Sequence, residues 1–262
     1  MKKSFLYIMA AVAAIAAVSC NKIETESGSE PMTITATFDI DSRTTPSSED
    51  GKTYALWESG DQILVLDTRG VKATFTITDG VGTKKGTFAQ DSGTSALKGS
   101  TLYAVYGDLN AGLKEVDVIG FTIPTTQNGS FKQANICVAK TTNGHFAFKN
   151  ATAILHFTNL PTATTGKVAN SVTVEGSANI IGSATASFSG ESVNVSCSGS
   201  NSAIFSINQG NLGMAEAYYA VAPATISVIA KTFNDKTSTI QSSAAVVRNK
   251  IYTSDVSKLS FK

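Results

Sequence analysis

From residue 32 onward, apolar and polar side chains trade places with a period of two. Met32, Ile34, Ala36, Phe38 and Ile40 alternate with Thr33, Thr35, Thr37 and Asp39, the pattern of a strand that buries one face. A polar loop follows over residues 41–52, with Pro46 and an Asp50-Gly51 turn signal. Short alternating or apolar runs then recur at 62–67, 71–78, 101–106, 136–140, 151–158, 171–175, 184–188, 193–197, 203–207, 217–222, 225–231 and 244–247. Asp79-Gly80, Asn128-Gly129, Asn143-Gly144 and Asn234-Asp235 punctuate them as turn formers that tolerate positive φ or bond their own backbone. No stretch of twelve residues carries a convincing 3.6 period. The best helix candidate is 211–218, at most a couple of turns. These runs predict an all-β chain, and about a dozen strands are too many for one small sandwich. Two β-sandwiches in tandem are expected, over 32–142 and 143–262. Asn143-Gly144 carries a second reading: it is also a two-residue hairpin signal, which would pair the runs on either side of it.

The first twenty residues follow another pattern. Lys2 and Lys3 precede fourteen unbroken apolar residues, 5 to 18, and then Ser19 and Cys20. Fourteen falls short of the roughly 20 residues that a helix needs to cross a bilayer. A basic start, a short apolar stretch and small residues at its end describe an export signal over residues 1–19. The cysteine at that point is the mark of a bacterial lipobox, with Cys20 acylated and left as the new N-terminus. The position usually held by leucine is Ala17. The other reading is an ordinary secretory cut nearby, with Cys20 a bystander. Burial contributes about 0.8 kcal/mol per methylene, so stable anchoring takes more than one chain. Residues 20–31 are polar, acidic and aperiodic, as a disordered tether would be.

Without residues 1–19 the chain keeps 243 of its 262 residues, with 19 basic against 20 acidic side chains. That balance offers no electrostatic footprint for nucleic acid. Charged residues are 16% of the chain, against about 25% in ordinary soluble domains; Ser, Thr, Gly and Asn carry the polarity, which suits sheet surfaces and turns. Cys137 and Cys197 could pair in an oxidising compartment, but each lies in an apolar alternating stretch where a buried free thiol is the commoner outcome.

Chemistry is thinly supplied. His145 follows a turn dipeptide and His156 lies within an alternating run, neither near a recognised partner, so both read as structural. Asp39 and Asp41 lack the glycine and terminal glutamate of a calcium loop, and residues 210–213 lack the strand and helix of a phosphate cradle. No enzyme activity, metal or cofactor is expected. Two places rise above this background. The only tryptophan opens Trp57-Glu58-Ser59-Gly60-Asp61-Gln62-Ile63-Leu64-Val65, read as a core aromatic beside a tight turn. Arg43 stands alone in the loop after the first strand, in Asp41-Ser42-Arg43-Thr44-Thr45.

In their order and spacing, the lipobox, the first strand running into Ser42-Arg43-Thr44-Thr45, the Trp57–Val65 stretch and Asn249-Lys250-Ile251-Tyr252 resemble the fimbrillin family of lipid-anchored pilins and fimbrillin-like surface proteins. The run from Phe148 to Phe157 and the later Tyr218-Tyr219-Ala220-Val221-Ala222-Pro223 are similar to the second domain of that family. The resemblance implies two transthyretin-like β-sandwiches and a surface-exposed lipoprotein of the outer membrane, part of a type V fimbrium. It also implies donor-strand exchange: an arginine-specific protease cuts after the first strand, that strand leaves, and a strand from another fimbrial subunit takes its place. Mapped onto this chain, Arg43 and Thr44 flank the scissile bond, and Met32, Ile34, Ala36, Phe38 and Ile40 are the core of the exchanged strand. Ile251, Val256, Leu259 and Phe261 are the candidate donor-strand residues, although residues 251–262 alternate poorly and equally suit the closing strand of the second sandwich. The alternative is a surface lipoprotein that binds glycan or host protein without polymerising, for which exposed Tyr103, Tyr106, Tyr218 and Tyr219 would be the evidence. Five inward side chains at about 1.5–3 kcal/mol each give roughly 7–15 kcal/mol as an upper bound, comparable to the stability of a whole domain at about 5–15 kcal/mol.

Overall fold

The alternation becomes strands nearly everywhere. In chain order these are β1 (Thr33–Phe38), β2 (Ser47–Glu49), β3 (Lys52–Tyr54), β4 (Gln62–Asp67), β5 (Lys72–Asp79), β6 (Lys85–Gln90), β7 (Leu102–Tyr106), β8 (Gly112–Glu115) and β9 (Val118–Ile123). A single turn of helix, α1 (Phe131–Ala134), precedes β10 (Cys137–Thr141), β11 (His145–Asn150), β12 (Ala153–Thr158), β13 (Ser171–Gly176) and β14 (Ile181–Ser189). The chain continues through β15 (Ser192–Ser200), β16 (Ser202–Ser206), β17 (Glu216–Val221), β18 (Ala224–Phe233), β19 (Lys236–Val246) and β20 (Ile251–Asp255). This computed structural model describes residues 31–38, 47–49, 52–54, 56–160, 171–206, 216–233 and 236–256. Cys20, Ile40, Arg43, Thr44, Leu259 and Phe261 lie outside the described residues, as do the export signal and residues 20–30 of the tether.

Seven strands close on themselves in the order β1-β11-β10-β7-β4-β5-β6, and β6 pairs back onto β1. Every pairing in this barrel is antiparallel except β1 with β11. Alternation decides what fills it. Ile63 and Val65 of β4, Leu102, Ala104 and Tyr106 of β7, and Cys137 and Ala139 of β10 point inward. Their neighbours Leu64, Leu66, Tyr103, Val105 and Val138 point outward into a second, larger core. These three strands are therefore buried on both faces, which is why their sequences read as continuous apolar runs rather than as alternation.

The second core is enclosed by three sheets, β15-β14-β9-β8, β16-β13-β18-β19 and β17-β12-β20. Phe205 stacks on Tyr219 inside it, with ring centroids 4.2 Å apart. The β8–β9 hairpin, early in the chain, pairs with β14 and is pinned to the barrel wall at its tip. There Asp117 turns the chain at φ 66, accepts from the Tyr103 hydroxyl at 2.8 Å and pairs with Lys140 at 2.7 Å. The hydrogen bonds from Lys140 and then Tyr103 hold the Asp117 carboxyl below the usual carboxylate range.

The all-β expectation is met, with corrections in detail. Asn143-Gly144 is the turn of the β10–β11 hairpin, Gly144 at φ 78. Because β11 pairs with both β1 and β10, residues 145–150 belong to the first barrel and not to the second sandwich. A cut at 142/143 would separate the two arms of one hairpin. β2, β3, β6, β8, β9 and β11 lie outside the predicted runs: β2 and the start of β3 fall in the stretch read as a polar loop, β8 is only four residues long, and Gly86 and Gly120 interrupt the alternation of β6 and β9. The 211–218 helix is not borne out where it is described, since residues 216–218 open β17. Among the described residues the α-helical turn comes at 131–134, where the Ser130 side chain accepts from the Gln133 amide as a cap, the usual solution for the first orphan donors.

Candidate functional site: the seam around the first strand

β1 closes the barrel, and its own sequence explains how. Ile34, Ala36 and Phe38 are 2%, 0% and 8% exposed, and Met32 packs half-buried against the same core. The strand is held on both sides: Ile34 lies opposite Phe88, Ala36 opposite Gly86 and Thr37 opposite Lys85 on antiparallel β6. On the other side Thr35 lies opposite His145, Ala36 opposite Phe146 and Phe38 opposite Phe148 on parallel β11. Parallel pairing needs no turn between the partners, so the two strands are joined only through the rest of the barrel.

An aromatic cluster receives the last inward side chain of β1. Phe38 stacks on Trp57 with centroids 4.0 Å apart and lies 5.6 Å from Tyr106 and 6.0 Å from Phe148. Trp57 also meets Phe88 edge-on at 4.9 Å. Its backbone is tied to the β5–β6 loop, donating to Thr83 and accepting from Gly82. The turn after it explains the rest of that motif. Gly60 takes φ 79, and the fully buried Asp61 carboxylate accepts from the Glu58 amide at 2.7 Å and from the Tyr106 hydroxyl at 3.1 Å. Lys132 of α1 supplies its countercharge. Burial, and then the Asp61 charge, push the Tyr106 hydroxyl far above its ordinary value, so it stays a donor. Trp57 is legible as core in the sequence, whereas the role of Asp61 is not, because its partner Lys132 is distant in the chain.

The outward face of β1 carries a polar clasp. His145 Nδ1 lies 2.9 Å from Thr35 Oγ1 and Nε2 lies 3.2 Å from Thr37 Oγ1. A neutral imidazole has one donor and one acceptor, and a hydroxyl rotates to suit either, so one ring satisfies two threonines of the strand. Thr35 N also donates to Gly144 O at 3.1 Å. Burial, and then the positive charge of Lys85, hold His145 below the ordinary histidine value. A group that resists its proton in the folded state gives stability that is complete above its unfolded pKa and is lost as pH falls below it, because the unfolded chain then binds the extra proton. The urea midpoint is therefore expected to fall between about pH 7.5 and about pH 5 by more in the natural chain than in His145→Gln. An equal drop in both would remove His145 from the acid response.

At the other end of the chain β20 lies parallel to β12 as an edge strand. Asn249 turns into it at φ 64, donating to Thr152 O at 3.0 Å, while Lys250 O accepts from Ile154 N at 3.0 Å. That accounts for the Asn249–Tyr252 motif. Val256 is fully buried and Ile251 half-buried in the second core, so these two side chains close the chain's own sheet. An apolar cleft of about 290 Å³ runs beside β20, lined by Leu155, Phe157, Ile226, Ile229 and Tyr252 among others. His156 ties three strands together, with Nε2 2.8 Å from Glu216 of β17 and Nδ1 3.3 Å from Thr253 of β20. Its ring stacks on Tyr218 at 4.2 Å.

Three of the four tyrosines whose exposure would mark a binding platform are core residues. Tyr103, Tyr106 and Tyr219 are 0%, 2% and 0% exposed, and Tyr218 is half-buried between His156 and Phe131. Cys137 is buried and Cys197 half-buried, and the two are not joined in a disulfide.

No family model matches the sequence, and no curated protein matches it. Among solved structures, the chain overlays a candidate cell adhesion protein from Bacteroides ovatus with a TM-score of 0.54 at 17% identity, covering 89% of this chain and 94% of the other. A candidate cell adhesion protein from Bacteroides uniformis gives a TM-score of 0.52 at 16% identity, covering 88% and 94%. The chain shares their fold. At these identities the likeness is one of architecture, carried along nearly the whole length of each chain.

Proposed function

We propose that the chain is a structural or accessory subunit of a cell-surface fimbrium that supports adhesion. In this reading Cys20 is acylated and tethers the protein to the outer membrane. An arginine-specific protease cuts between Arg43 and Thr44, β1 leaves, and a β-strand of another fimbrial subunit replaces it. The observation that carries the reading is the way β1 sits. It supplies Ile34, Ala36 and Phe38 to the barrel core, bonds a neighbour on each edge, and is the first barrel strand in chain order among the described residues. Removing it exposes apolar side chains and two unpaired strand edges, and an added strand restores both burial and ladder hydrogen bonds, the β-augmentation mode. The shared fold with candidate adhesion proteins and the fimbrillin-like motifs support the same reading. No catalytic step enters it.

Ile251 and Val256 close the chain's own sheet, so a donor role for residues 251–262 requires β20 to leave it. As an edge strand bonded on one side, β20 is nonetheless easier to detach than any central strand. The reading is tested by treating the purified chain with an arginine-specific protease. The expected products are a new N-terminus at Thr44 and denaturant-resistant oligomers in a ladder. No cut at Arg43, or a cut that leaves monomers, would sink it in favour of a non-polymerising surface lipoprotein.

A further inference from the structure

We infer that the place occupied by β1 is a sieve that admits only strands with a small residue at the central inward position, and that Trp57 and Gly86 set the rule. The inference rests on the strand-replacement reading and adds which strands qualify. The three inward positions of β1 differ in the room around them. Ile34 lies opposite the Phe88 ring, and Phe38 enters the aromatic cluster of Trp57, Tyr106 and Phe148. Between them Ala36 is fully buried, with Phe146 opposite on one side and Gly86 on the other.

Gly86 is a glycine because the indole and its neighbour take the space of a side chain. A Cβ there would stand 2.7 Å from a ring carbon of Phe88, closer than real Cβ contacts come, and 3.0 Å from Cδ1 of Trp57, tighter than nearly all of them. Trp57 is 1% exposed and held from behind by its backbone bonds to the β5–β6 loop, so it has nowhere to withdraw. Ala36 is fully buried between Phe146 and the already filled space at Gly86, so a β-branched or longer side chain in its place overpacks the core, which is destabilising. The partner that fits is a β-segment reading large apolar, any, small, any, aromatic, with the aromatic ring stacking on Trp57.

This rule also sorts the faces of residues 251–262. The face with Ser257, Leu259 and Phe261 would put Leu259 at the central position and is rejected. The face with Tyr252, Ser254 and Val256 has a small residue in the centre. In antiparallel orientation it would bring the Tyr252 ring to the place of Phe38.

The test uses the full chain with residues 43–46 replaced by the site of a sequence-specific protease, so that the cut does not depend on Arg43. After cutting, two labelled peptides covering residues 31–42 are offered, one natural and one carrying Ala36→Leu. Exchange is followed by label retention and by the fluorescence of Trp57. The natural peptide is expected to exchange into the barrel and the leucine peptide to bind about ten- to a hundred-fold more weakly. Equal binding of the two overturns the sieve while leaving strand replacement standing. Failure of the natural peptide to exchange at all overturns both.

Discussion

Phe38→Ala is expected to destabilise the protein by about 3–5 kcal/mol, the range for truncating a buried aromatic side chain. Phe38 is 8% exposed and its ring contacts Trp57, Tyr106 and Phe148 at once. Aromatic pairs add about 0.5–1.5 kcal/mol beyond the area they bury. The loss falls on a strand with no turn joining it to either neighbour, so the cavity cannot close without β1 shifting its register, and a one-residue slip would turn Thr35 and Thr37 inward. Urea unfolding followed through Trp57 reads the change directly, since the sole tryptophan is the residue on which Phe38 stacks. A midpoint within error of the natural chain would mean that β1 is not a structural part of the barrel.

Separating β1 from the barrel is expected to have a larger effect still. Cutting the chain within residues 41–46 leaves β1 held to the barrel only by its bonds to β6 and β11, and the monomer with its native Trp57 spectrum is expected to give way to oligomers. Stripping the cut strand away with denaturant and then diluting should not restore that monomer. The barrel would lose Ile34 and Phe38, each contributing about 1.5–3 kcal/mol, together with both ladders that β1 completes. The total approaches the roughly 5–15 kcal/mol that holds a domain together. Phe88, Phe146, Phe148 and Trp57 would face an open slot between two bare edges. Association into oligomers, seen by size-exclusion chromatography with a red-shifted indole, is the expected outcome. A stripped chain that remains monomeric with Trp57 still buried would show that the slot closes by itself, and the proposed driving force for assembly would be gone.

Much of this arrangement was legible in the residues. The alternation of 32–40 predicted a strand with Ile34, Ala36 and Phe38 buried, and the burial matches. Run 62–67 matches β4 residue for residue. Trp57 reads as core from its neighbours, and the turn after it from Gly60-Asp61. What failed did so for identifiable reasons. β6 is written Lys-Gly-Thr-Phe-Ala-Gln, a weak strand pattern whose glycine answers to an indole nearly thirty residues away. Asp61 reads as an exposed turn residue until Tyr106 and Lys132 are brought to it. Of the tyrosines whose exposure would have marked a platform, Tyr103, Tyr106 and Tyr219 proved to be core and Tyr218 half-buried against it, since aromatic rings count the same in a sequence whether they face water or one another.

The sequence by itself determined which face of each strand is apolar, where the chain turns, and the all-β class, because those follow from a period of two and from the local preferences of glycine, asparagine and aspartate. Tertiary structure alone decided that β1 lies between β6 and β11, that β11 sides with the first barrel, and that the early β8–β9 hairpin joins the second core. Pairing partners are chosen by which edges and apolar faces are left to cover once distant strands have met, and a period of two is the same for every one of them.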